Sequence, residues 1–357
     1  MSALQTMVVD GYAPESIAAA AQRLRAGELL GLPTETVYGL AADAENDAAI
    51  AQIFTAKGRP ADHPLIVHVL DTAGVAHFAD SVPAFAQTLM HAFWPGPLTL
   101  ILPRKSGVAA AAAGGQNSIG LRCPSHPVAQ ALLKACQQPF DAAGKPQQPV
   151  WGIAAPSANQ FGRVSPTTAQ HVQGEFARDL LILDGGACEV GIESTIIDCT
   201  RGVPVLLRPG VVTREQVKAV CGLQVLLKEE LSTQSAPAPK ASGTLESHYA
   251  PNAKVRLMDA VEIQQALHLL DATPAPMTAE ATPAPRIATY SRARLVSRTN
   301  QVLAQPMPFD AAATAHELFA VLRKLDAQGV AQIWIESPPN SPEWDGVRDR
   351  LQRAAAS

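Results

Sequence analysis

At 357 residues the chain exceeds the usual span of one domain, so two domains are expected. Apolar residues make up 47% and charged residues 17%, a balance that excludes a disordered or fibrous chain. The formal net charge of −4 gives no general attraction for nucleic acid or an anionic membrane, so any polyanion must meet a local basic cluster.

No apolar run is long enough to cross a bilayer, and the N-terminus (MSALQTMVVDGYAPES) lacks a basic region followed by a hydrophobic stretch; a cytoplasmic protein is expected. Cys123, Cys136, Cys188, Cys199 and Cys221 are odd in number and form no CxxC pair, so they read as small buried apolar residues.

Short β-type runs alternate with helical patterns, which predicts an α/β fold. Helical spacing covers Ser16 to Ala26 and stops at Gly27; Glu28 to Leu32 then reads as a strand ending at Pro33. Helices are expected at Ala48 to Ala56, Val82 to Ala92 and Val128 to Cys136. Strands are expected at Leu65 to Leu70, Leu98 to Leu102, Ile119 to Arg122, Gly152 to Ala155, Leu180 to Leu183, Ser194 to Cys199 and Val205 to Arg208. Thr213 caps a last helix through Val220, its hydroxyl accepting from first-turn amides. Ser232 to Gly243 is poor in apolar bulk and reads as a linker; Gln137 to Pro149 and Asp271 to Pro285 read as loose loops. After the linker the pattern resumes with strands at Val255 to Met258, Arg286 to Tyr290 and Ile333 to Glu336. Helices accompany them at Val261 to Leu270, Phe309 to Gln328 (capped by Asp310, stopped by Gly329) and Trp344 to Ala354. Residues 1–228 form the first domain, 229–253 a linker and 254–357 a small open α/β domain.

Polar residues of the first domain gather at strand ends and the loops after them, where open α/β sheets bind ligands. Pro33-Thr-Glu-Thr-Val-Tyr-Gly39 offers two hydroxyls, a carboxylate and a phenol, which suit either a small polar ligand or a capped turn. Lys57 to His68 carries Lys57, Arg59, His63 and His68 against one acid, Asp62; that excess of cations favours phosphate over a plain solvated face. Arg122 lies in an apolar strand, where a guanidinium is costly unless paired, and both an internal ion pair and a bidentate ligand carboxylate remain open. Ser157, Asn159 and Ser165 flank Gly162 on an irregular loop and suit phosphate oxygens, a purine edge or plain turn chemistry. Ser194 opens one strand, Arg208 closes the next, and the aromatic of His248-Tyr-Ala-Pro251 stands after the linker, where it could close over a ligand. No GxxxxGK[ST], GxGxxG or GxSxG motif is present. The residues by themselves support an anion-binding α/β protein.

These segments resemble the YrdC-like family of threonylcarbamoyl-AMP synthases. PTETVYGL, KGRPADHPLIVHV, WPGPLTLIL, SIGLRCP, APSANQFGRVSPT, GIESTIID and LLRPG occur in the family's order between residues 31 and 210. The tail, with HYAP and a small α/β domain, is similar to the family's long two-domain form. The resemblance implies a YrdC-like twisted open sheet with flanking helices, followed by a Rossmann-like α/β C-terminal domain. It implies a nucleotidyltransferase that joins L-threonine, bicarbonate and ATP, with Mg2+ on the nucleotide, into threonylcarbamoyl-AMP and pyrophosphate. It also implies that the product passes to the tRNA threonylcarbamoyl transferase that modifies the adenosine beside the anticodon. Carried over by position, Thr36, His68, Arg122, Ser194 and the Ala155 backbone match the threonine pocket. Arg59, His63, Ser118, Ser157, Ser165, Arg208 and Tyr249 match the ATP site, with Lys57 and Asn159 beside it. His63 and Ser118 stand where some relatives have Asn and Thr. No protein nucleophile or metal ligand is implied; Lys57, Arg59 and Arg122 orient substrates and neutralise charge.

An RNA-binding module using the same basic concave surface is the alternative from another class. The acidic net charge and 5% aromatic content oppose it, since stacking platforms would be expected, and tRNA contact is only weakly supported. A carbamoyl transferase of the hydrogenase-maturation type would carry zinc-finger cysteines, and no CxxC occurs here.

Overall fold

A computed structural model describes residues 7–141, 144–176, 179–231, 238–243, 248–272 and 287–356. Two compact units divide the chain: Met1–Phe161 with Ser165–Thr244, and Gly162–Val164 with Leu245–Ser357.

The first unit runs β1 (Met7–Asp10), α1 (Pro14–Arg25), β2 (Leu30–Leu32), β3 (Gly39–Asp43), α2 (Asp47–Lys57), β4 (Ile66–His68), α3 (Thr72–Phe78) and α4 (Ala84–Phe93). It continues with β5 (Leu98–Pro103), β6 (Ser118–Arg122), α5 (Pro127–Cys136), β7 (Ile153–Ala154), α6 (Ala169–Gln173), β8 (Leu181–Asp184), β9 (Thr195–Asp198), β10 (Val205–Arg208), α7 (Arg214–Cys221) and β11 (Leu226–Leu227). One mixed sheet takes these strands in the order β1-β8-β2-β3-β7-β4-β6-β5-β9-β10-β11. Strand alternation sends Leu40 and Ala42 to one face, under α2, α3 and α4, with Ile50, Ile53, Phe78 and Leu89. Ala41 turns to the other face, where Ile17, Leu24, Leu132 and Leu133 of α1 and α5 cover it.

Helix ends follow from their residues. Asn46 caps α2 and Gly58, at φ 63°, closes it in the left-handed region that glycine enters freely. Thr213 makes a full capping box with Gln216, as the sequence predicts for α7. Three strands of this unit escape the sequence reading: β1, β3 and the two-residue edge strand β11. β3 (GLAAD) has small residues with little β-preference, yet it pairs antiparallel with β2 and turns PTETVYG into the loop of a hairpin. β1 is short and pairs only at the sheet edge, with β8.

The second unit runs β12 (Lys254–Met258), α8 (Ala260–Ala272), β13 (Ile287–Ser291), β14 (Val302–Pro306), α9 (Ala311–Asp326), β15 (Gln332–Glu336) and α10 (Asp345–Ala355). Its four strands are all parallel in the order β12-β15-β13-β14, the open α/β architecture expected of this region. Asp310 caps α9 as predicted. The strand β14 is an addition to the sequence reading, while most of the loop expected at Asp271 to Pro285 lies outside the described residues. Within this unit Tyr249 adopts φ 63° and is 1% exposed, its ring 5.4 Å from that of Phe319 and 5.3 Å from the guanidinium of Arg350.

Candidate active site

Parallel pairing of β4 with β6 sets His68 directly beside Arg122, and antiparallel β7 sets Ile153 on the other side of His68. Neighbouring residues in register point to the same face, so two separated motifs share one surface. The hairpin loop supplies the rest of the cradle. Arg122 donates through Nη1 to Thr36 Oγ1 at 2.8 Å and through Nε to the Gly96 carbonyl at 3.2 Å. Its Nη2 stands 2.6 Å from Glu35 Oε1, an ionic contact off the line a hydrogen bond prefers. Glu35 Oε2 accepts from the Ser125 amide at 3.1 Å. Thr34 Oγ1 donates to the Val37 carbonyl at 2.6 Å and lies 2.9 Å from Thr36 Oγ1, which fixes the loop. The internal ion pair left open from the sequence is therefore present. Glu35 is the residue that sequence reasoning counted in its cluster but assigned no role.

His68 is buried, with Nδ1 3.4 Å from the Ile153 carbonyl. Burial first, and the Arg122 charge second, drive its pKa down to about 3, so the ring is neutral at pH 7. The unfolded chain takes up that proton near pH 6.5 and the folded one only near pH 3. Between those values the unfolded state binds more protons, so His68 makes stability fall on acidification by about 1.4 kcal/mol per pH unit. His68→Gln is expected to flatten the slope of urea-unfolding stability between pH 6.5 and 4; equal slopes in both proteins would contradict a buried neutral ring.

Ser194 Oγ lies 2.8 Å from Thr99 Oγ1 and receives Arg208 Nη2 at 3.2 Å, while Arg208 Nε donates to the Ser194 carbonyl at 3.0 Å. The close approach of strands leaves no room for a side chain at Gly210, where a Cβ would stand 2.6 Å from the Thr195 nitrogen. Arg59 donates to the Pro64 carbonyl at 2.9 Å and to Ser242 Oγ at 3.4 Å, and Arg208 Nη1 reaches the Ser242 carbonyl at 2.9 Å. Part of the expected linker, residues 238–243, thus lies against both arginines; Lys240 adds an ion pair with Asp62 at 2.5 Å. A cavity of about 20 Å³ remains among Ile66, Thr99, Gln116, Ser118, Ile196 and Ser242. A larger cavity of about 540 Å³, walled by Leu70, Met90, Trp94, Pro95 and Cys123, includes none of the candidate residues.

Other candidates sit around these groups. Lys57 is buried at the end of α2 and donates to the Ser157 carbonyl at 2.5 Å and to the Asn159 carbonyl. Burial, then the charge of Arg59, holds its pKa well below that of a free lysine. It braces the loop that carries Ser157 and Asn159. Ser165 donates to the buried Glu193. Asn159 turns its Nδ2 onto the Gln160 carbonyl at 2.7 Å. His63 packs 5.7 Å from Phe161, its pKa lowered by burial and then by Arg59. Ala155 abuts Gly39, where a Cβ would stand 2.9 Å from its own. Tyr38, in the same loop as Glu35, donates to the Gly186 carbonyl at 2.7 Å and is structural. Tyr249 belongs to the second unit, with the packing given above.

A profile described as "Telomere recombination", covering Sua5, YciO and YrdC proteins, matches residues 22–210, and one described as "Threonylcarbamoyl-AMP synthase, C-terminal domain" matches residues 212–356. The chain belongs to the YrdC-like family of threonylcarbamoyl-AMP synthases, in its two-domain form. The Bacillus subtilis threonylcarbamoyl-AMP synthase is 42% identical over 245 residues, 68% of this chain and 66% of its own length, so that alignment spans about two thirds of each protein. The Schizosaccharomyces pombe enzyme of the same name is 32% identical over 364 residues, covering 92% of this chain and 85% of its own. Pyrococcus abyssi Sua5 complexed with L-threonine superposes with a TM-score of 0.82 at 32% identity and covers 98% of both chains. The synthase family thus accounts for both units, as the sequence motifs implied.

Proposed function

We propose that this chain condenses L-threonine, bicarbonate and ATP into threonylcarbamoyl-adenylate and pyrophosphate. The observation that carries the reading is the Arg122 cradle with Thr36 and neutral His68, together with the Ser194–Arg208 contact and the loop residue Arg59, which meets Arg208 at Ser242. Threonine lies with its carboxylate on Arg122, near Thr36, His68, Ser194 and the Ala155 backbone. The neutral threonine amine forms an N–C bond to the bicarbonate carbon, a C–O bond breaks and water leaves with the amine proton, giving a carbamate. One carbamate oxygen then forms a bond to the α-phosphorus of ATP, and the bond to the β,γ-pyrophosphate breaks. The nucleophile belongs to the substrates, so the side chains orient and neutralise. Arg59, His63, Ser118, Ser157, Asn159, Ser165 and Arg208 would receive the nucleotide, with Lys57 bracing the loop at Ser157 and Asn159. Mg2+ arrives with ATP as part of the substrate, on the phosphate oxygens.

The product is a mixed carboxylic–phosphoric anhydride prone to hydrolysis, which suits direct transfer to the tRNA-modifying threonylcarbamoyl transferase in the cytoplasm. Among the described residues no helix is long and apolar enough to cross a membrane. The test is product analysis of protein mixed with Mg-ATP, threonine and bicarbonate, each omitted in turn. Adenylate and pyrophosphate should appear only with all of them present; pyrophosphate release without threonine or bicarbonate would overturn the reading.

A further inference from the structure

Arg122 and Glu35 form a pair whose side chains are 4% and 3% exposed, buried beneath the hairpin loop. A guanidinium has five N–H donors, and here Thr36, Gly96 and Glu35 hold it from three directions while donor capacity remains for one more acceptor. Glu35 is itself held, its second oxygen on the Ser125 amide and its own carbonyl accepting from the Val190 amide at 2.7 Å. The arginine therefore cannot swing towards a ligand; it presents a fixed edge.

The charges matter as much as the geometry. Glu35 and Arg122 cancel, His68 is neutral, and the thiols of Cys123 and Cys188, which feel Glu35, are both pushed towards their protonated forms by burial. The cradle is thus formally neutral before any ligand arrives. An amino-acid zwitterion, itself neutral, can enter such a place without building up charge. A polyphosphate would set several negative charges against a buried carboxylate, where screening by water is weak.

We infer that Glu35 is the specificity-determining residue of this cradle: it locks Arg122 and cancels its charge, so that the pocket admits the carboxylate of a zwitterionic amino acid and turns polyphosphate away. The inference rests on the threonine reading above and explains how one site keeps an amino acid and a triphosphate in separate places although arginines serve both.

The test uses steady-state kinetics of the full chain with inorganic pyrophosphate as inhibitor. In the unaltered protein pyrophosphate should compete with ATP and not with threonine. Glu35→Gln should raise the threonine KM about tenfold or more, as expected for a lost charged contact. In that variant pyrophosphate should also compete with threonine. Glu35→Asp keeps the charge and shortens the reach, so its threonine KM should rise without any new competition. An unchanged threonine KM in Glu35→Asp, or competition acquired by it, overturns the inference, as does an unaltered inhibition pattern in Glu35→Gln. If Glu35→Gln does not fold, the two Glu35→Asp measurements decide alone. Arg122→Ala, measured in parallel, separates the causes: an unchanged threonine KM there means the threonine assignment has failed, and Glu35 with it.

Discussion

Replacing Arg122 with alanine should remove threonine use and, in the same stroke, several kcal/mol of stability. The first loss follows from its place in the cradle. A charge-assisted bond to a carboxylate contributes about 1.5–3 kcal/mol, so the threonine KM should rise by about one to two orders of magnitude while the ATP KM moves little. The second loss follows from Glu35, which would be left as a buried carboxylate without its cation, held only by the Ser125 amide. Breaking a buried pair from one side costs about 3–5 kcal/mol, which in a protein of this size lowers the melting temperature by on the order of 10 °C. Removing both charges together has a different outcome. The double substitution Glu35→Gln with Arg122→Met should recover most of the stability, because no lone charge remains, and should still fail to use threonine. Urea unfolding and threonine titrations on the three proteins check this. A single Arg122→Ala variant as stable as the parent would mean that the pair contributes nothing.

Lys57→Met should show the opposite bias, towards ATP. The ammonium is enclosed and bridges two main-chain carbonyls, of Ser157 and Asn159, about a hundred residues away in sequence. Methionine fills similar space but donates nothing, so two buried acceptors lose their partner at about 1–3 kcal/mol each. The loop bearing Ser157 and Asn159 would then lose its brace. The ATP KM should rise about tenfold, with the threonine KM changing less and with unfolding stability falling by about 2–4 kcal/mol. Lys57→Arg is not expected to rescue it, since a planar five-donor head does not fit a slot shaped for a point donor. A raised ATP KM with full stability would show that Lys57 acts on phosphate and not through the loop.

How much of this could be read from residues alone depended on the distance over which each feature is decided. Helices with strong local signals, such as the Thr213 capping box and the Asp310 cap, were legible, because a cap and its amide lie within one turn. The polar clusters were legible as strand-end loops. What they did to one another was not. Arg122 offered two readings from its apolar surroundings, and only the hairpin formed by β3 brings Glu35 against it, from 87 positions earlier in the chain. That hairpin was invisible because GLAAD carries little β-preference; tertiary pairing decided it. Lys57 looked like a phosphate ligand by charge, and its carbonyl partners could not be inferred from spacing. The division of residues between threonine and ATP came from the family resemblance, not from periodicity or composition.

The side-by-side register of His68 and Arg122 limits how the sequence around them can change. Each belongs to a short strand, three residues long in β4 and five in β6, fed by loops of quite different length. Insertions in those loops leave the pairing intact, because loop closure costs grow only slowly with length. One residue added or deleted inside either strand reverses which face its remaining side chains occupy, and would turn the histidine or the arginine away from its neighbour. Length variation among homologues is therefore expected to accumulate between these strands and to be missing within them, and a graft of this pocket onto another sheet must copy the pairing register before it copies any side chain.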